Sequence, residues 1–65
     1  MTKRDSDILR LIARSPSDTD GWRNVSDRLW PIVKSFGIPE LIEINEYNRQ
    51  VRLTVAGLAV VKYSL

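Results

Sequence analysis

Arg23, Arg28 and Lys34 fall within the segment 22–36 and meet a single acid there, Asp27, so this segment carries the whole +2 excess of the chain. The flanks are neutral. Lys3, Arg4, Arg10 and Arg14 balance Asp5, Asp7, Asp18 and Asp20, while Arg49, Arg52 and Lys62 balance Glu40, Glu43 and Glu46. A local cationic excess attracts anions such as nucleic-acid phosphates, although domains built for that purpose are usually more basic than this one. Other chemistries are poorly served. The chain has no His and no Cys, which excludes disulfides, zinc sites of the Cys/His kind, and Ser-His or Cys-His nucleophile pairs. Asp18-Thr19-Asp20-Gly21 brushes a calcium-loop pattern, but its fifth and twelfth positions are Trp22 and Leu29, whose side chains offer the ion no oxygen. The three glycines are dispersed and form no phosphate cradle. Glu40 and Glu43 lie on or near an expected strand with no catalytic partner. No enzyme activity, cofactor or metal is expected.

These side chains need a small scaffold, since 65 residues make one domain with a thin core. In Ser6–Arg14, Ile8, Leu9, Leu11 and Ile12 form a stripe at helical spacing, with Asp5 or Ser6 as cap and Pro16 as stop. A loop follows over Ser15–Gly21. Trp22, Val25, Leu29, Ile32, Val33 and Phe36 then repeat at helical spacing and predict a helix over 22–36, capped by Asp20 and ended by Gly37. Pro31 falls opposite that apolar stripe, where a kink is tolerated. The alternative is a short helix ending near Trp30 and a second one beginning at Pro31.

Beyond Pro39 the period changes to that of strands. Leu41–Asn45 and Val51–Thr54 read as a hairpin around the polar turn Glu46–Gln50, in which Asn48 is expected to take the left-handed conformation. Thr54 then caps a helix over Val55–Tyr63 that is apolar around most of its circumference, and such a helix is either deeply buried or shared with another chain. Gly57 inside it costs up to about 1 kcal/mol of helix stability relative to Ala, which predicts close packing there. The expected core is Ile8, Leu11, Ile12, Trp22, Val25, Leu29, Ile32, Val33, Phe36, Ile42, Ile44, Val51, Leu53, Leu58 and Val61. The longest nearly apolar run, Val55–Val61, is far short of the roughly 20 residues of a membrane span, and the expected location is the cytoplasm.

The order helix, helix, hairpin, helix, together with Glu40-Leu41-Ile42-Glu43, a tip at Asn48-Arg49, and Val51-Arg52-Leu53-Thr54-Val55-Ala56-Gly57, resembles the wing region of bacterial winged-helix regulators of the multiple-antibiotic-resistance type. Leu53, Thr54 and Gly57 sit at the spacing of that family's strand end and following helix, and the likeness covers about Pro39–Leu65. The resemblance implies a small α+β winged-helix-like domain that binds double-stranded DNA as a transcriptional regulator, with contacts from Arg23, Asn24, Asp27, Arg28 and Lys34 of the second helix and from Tyr47, Asn48, Arg49 and Arg52 of the wing. It also implies a homodimer through the C-terminal helix. The segment 22–36 is short for the two helices this family places before its wing, so the form is a reduced one. An alternative reading makes the same scaffold a protein-interaction module whose contact surface is Trp30, Val60, Val61 and Tyr63.

Overall fold

Thr2 opens the first helix, α1 (Lys3–Arg14), by accepting a hydrogen bond from the Asp5 amide at 3.1 Å in a computed structural model that describes every residue from Met1 to Leu65. The helix therefore starts ahead of the expected Ser6. Asp5 lies in its first turn, where a negative charge suits the helix dipole, and is not the cap. The chain leaves the helix at Ser15 in an extended conformation, just before Pro16.

The segment 22–36 departs most from its pattern. Instead of one kinked helix it forms a short strand, β1 (Arg23–Asn24), a turn over 27–29, and a single short helix, α2 (Trp30–Lys34). Three physical reasons are visible. Asp18, not Asp20, is the organising side chain, since one of its carboxylate oxygens accepts from the amides of both Asp20 and Trp22 at 2.9 Å. Gly21 takes φ +86°, which turns the chain back so that Ser17 bridges Arg23. The backbone of Arg23 and Asn24 then pairs with Val51 and Gln50, and this tertiary hydrogen bonding overrides a helical hydrophobic period. Pro31 finds its place in the first turn of α2, where its missing N–H is not needed. The second of the two readings at Pro31 is thus met in half: a helix begins beside it, at Trp30, but no helix occupies 22–29.

A 3-10 turn (Pro39–Leu41) leads into β2 (Ile42–Asn45), which turns back into β3 (Gln50–Leu53). The expected hairpin is present, and β1 extends it to an antiparallel sheet of order β1-β3-β2. At its tip Arg49 is the residue with positive φ, +52°, in place of the expected Asn48, whose amide instead donates to Asn45 Oδ1 at 3.2 Å. The last helix, α3 (Val55–Ser64), is capped by Thr54 as expected, with Thr54 Oγ1 accepting from the Gly57 amide at 3.0 Å. The molecule is a small α+β domain with the element order helix, helix, hairpin, helix.

The core joins Ile8, Leu9 and Ile12 of α1 to Val33, Phe36, Leu41, Ile42, Val51 and Leu53. Leu9 and Leu41 were not expected there. Leu11, Trp22, Val25, Leu29 and Val61 are only half-buried, while Ile32, Ile44 and Leu58 are exposed. Losing the long helix removed the single face on which Trp22, Val25, Leu29 and Ile32 were to lie, and the 3-10 turn supplied Leu41 in their stead.

Candidate interaction surface

Arg23 has a structural role. Its guanidinium donates to the Ala13 carbonyl at 3.1 Å and to that of Ser15, at the C-terminal end of α1, where helical carbonyls lack intrahelical partners. Its Nε is buried and unpartnered. Arg23→Met should keep most of the packing and strand two carbonyls, lowering stability by about 1–3 kcal/mol. An unchanged urea midpoint for this variant would show that the clamp contributes nothing.

The remaining cations of the expected DNA face are mostly matched with acids. Arg49 at the hairpin tip pairs with Asp27 in the turn before α2, and Lys34 on α2 reaches back to Glu46 at 2.8 Å. The tip is thus tied to the 27–34 segment by two reciprocal ion pairs. The hydrogen bond from Lys34, reinforced by its charge, holds the Glu46 carboxyl below its ordinary range. These side chains are largely solvent-exposed, so the pairs add little to stability and weaken with salt. Arg28 is exposed and forms no ion pair with an acid, and Tyr47 projects almost fully into solvent. Lys34 and Arg49 are therefore brought together around the tip, with Arg28 adjoining Asp27.

Asn24 and Arg52 lie elsewhere, among the strands. Asn24 accepts a side-chain hydrogen bond from Gln50 at 3.2 Å. Arg52 pairs with Glu43 and stacks over the Trp22 ring, 4.3 Å from its centre. The piece that would enter a groove as a recognition helix is α2, whose sequence is Trp30-Pro31-Ile32-Val33-Lys34. It offers one charged side chain, and that one is already paired.

The other surface is α3. Only Gly57 of this helix is buried, and Val60 and Val61 pack against the core from half-buried positions. Val55 is 86% exposed, Leu58 52% and Tyr63 76%, with Ala56 and Ala59 exposed between them. Lys62 is the one charged residue of the helix, and its ammonium lies over the Tyr63 ring, 5.3 Å from the centre. Of the residues expected at a protein contact, Tyr63 is thus on the open face. Val60 and Val61 look inward, and Trp30 is half-buried in α2. Val55 and Leu58 were missed as site residues. Their signal is a helix apolar on every side, although the helical period places Leu58 in the expected core.

Comparison with protein-family models, with curated proteins and with solved structures finds no match. No helix is long and apolar enough to cross a membrane.

Proposed function

We propose that this chain is a protein-interaction module that pairs with a second copy of itself through the outer face of α3. The observation that carries the reading is the exposure of Val55, Leu58 and Tyr63 on a helix with a single charge. Large exposed apolar patches on a small domain usually mark contact sites. The face also suits its own copy. Ala56 and Ala59 leave gaps beside Val55 and Tyr63 into which large side chains of a second copy can fit, and Lys62, which falls within the same face, lies over the Tyr63 ring.

A second reading, DNA binding by a reduced winged-helix regulator, is favoured by Lys34, Arg49 and the unpaired Arg28 near a tip that projects Tyr47. Phosphates would compete with Asp27 and Glu46 for these cations. The short α2 and the engagement of Arg23 weigh against it.

Two variants separate the readings. Leu58→Glu should raise the dimer dissociation constant by at least about a hundredfold, because it replaces a large aliphatic side chain of the contact with a carboxylate that burial would desolvate. Arg28→Glu with Arg49→Glu should leave dimerisation unchanged. Sedimentation velocity checks both, alongside anisotropy of a labelled mixed-sequence duplex at about 50 and 200 mM salt. Dimerisation that survives Leu58→Glu overturns the first reading. Duplex binding with a steep salt dependence that the double charge reversal abolishes establishes the second.

A further inference from the structure

We infer that the outer edge of β2 accepts an extended segment of another protein as a fourth strand, with a basic residue placed between two aliphatic ones. This surface is separate from α3 and does not depend on its role.

The edge is open in a way the register makes explicit. The Thr54 amide donates to the Leu41 carbonyl at 3.1 Å, continuing the ladder in which Glu43 faces Arg52 and Asn45 faces Gln50. Hydrogen-bonded and non-hydrogen-bonded pairs alternate along an antiparallel ladder, so Glu43 and Asn45 bond to β3 while the amides and carbonyls of Ile42 and Ile44 point away from it. β2 is the outermost strand, and no turn or loop hydrogen bond reaches those four groups. Two donors and two acceptors spaced two residues apart are the complement of one extended chain, and main-chain pairing of this kind supplies affinity in strand addition.

The two faces of this edge specify the segment. On the core face, Lys34, Phe36, Pro39, Ile42 and Ile44 line a recess of about 250 Å³. Ile44 stands 38% exposed beside it. Residues of an added strand opposite Ile42 and Ile44 would direct their side chains to this same face, and aliphatic ones would cover Ile44 and fill the recess. On the solvent face the Trp22 ring, the Arg52 guanidinium and the Glu43 carboxylate form a row across the sheet. The row ends in a carboxylate at the open edge. A lysine or arginine opposite Glu43 continues the alternation of charge, and opposite charges directly across a strand pair are favourable.

The same carboxylate disfavours a second copy. Two β2 edges pairing antiparallel through Ile42 and Ile44 would bring Glu43 opposite Glu43 of the second copy, a like-charge cross-strand pair.

The test is an amide-resolved NMR titration of the full chain with the capped peptide Thr-Ile-Lys-Val-Thr. The Ile42 and Ile44 amides should shift and exchange more slowly with solvent as the peptide is added. The peptide Thr-Ile-Glu-Val-Thr should bind about fivefold more weakly, and Glu43→Lys should invert that preference. A version of the first peptide N-methylated at its pairing amides should lose binding while keeping its side chains. The inference is overturned if Ile42 and Ile44 do not respond, if the response lies on α3 alone, or if the N-methylated peptide binds equally well. Protection of the two amides that rises with protein concentration and without peptide would also overturn it, by identifying a second copy as the occupant.

Discussion

Gly57→Ala should destabilise the domain by about 3 kcal/mol, although helix propensity alone predicts a gain of up to about 1 kcal/mol from the same change. The sign is decided by Leu41. A Cβ built on Gly57 would fall on the Leu41 carbonyl oxygen and lie 3.0 Å from its carbonyl carbon, and both are backbone atoms that cannot swing aside. That backbone is held from other directions as well. The Leu41 carbonyl accepts from the Thr54 amide at 3.1 Å, and Thr54 Oγ1 donates to the neighbouring Glu40 carbonyl at 2.8 Å while accepting from the Gly57 amide. Relief would have to separate α3 from the 3-10 turn. Urea denaturation measures the effect, and a raised midpoint for Gly57→Ala would show that α3 does not pack as closely as described.

Leu9→Ala should cost about 2–5 kcal/mol, enough to leave so small a domain largely unfolded at moderate temperature. Leu9 is fully buried, so the lost methyl groups leave a cavity among Ile12, Val33 and Val51, which are fully buried too. Leu11→Ala, two residues on, should cost only about 1 kcal/mol because Leu11 is half-exposed and water fills the space the side chain leaves. Thermal denaturation of the two variants side by side gives the comparison. Equal losses would mean that α1 presents a different face to the sheet.

This pair also shows what a sequence period can and cannot reveal. The stripe in α1 contains Ile8, Leu9, Leu11 and Ile12, and helical spacing identifies the stripe but not which of its edges is deepest, because that depends on where the sheet lies. The hairpin and α3 were legible because local chemistry determines them. Alternation marks β2 and β3, and Thr54 with Gly57 three residues later marks both a cap and a close approach. The segment 22–36 was not legible for the opposite reason. Its apolar residues repeat at helical spacing, yet its conformation is set by the Asp18 turn and by the vacant side of β3, which lies far away in sequence. The surface residues divide in the same manner. A helix apolar all round announced that α3 has more apolar surface than so small a core can cover. The carboxylate partners of Lys34 and Arg49, and the carbonyl partners of Arg23, come from other elements of the chain and could not be read from charge counts, whereas Glu43 stands directly across the hairpin from Arg52.

The measurement that bears most directly on the role of α3 is an isotope-filtered NOE experiment on an equal mixture of labelled and unlabelled chains. The account predicts intermolecular contacts among the Val55 and Leu58 methyl groups and the Tyr63 rings of the two copies, as pairing through the outer face of α3 requires. A sample that remains monomeric at about millimolar concentration, or intermolecular contacts lying elsewhere than α3, would contradict it.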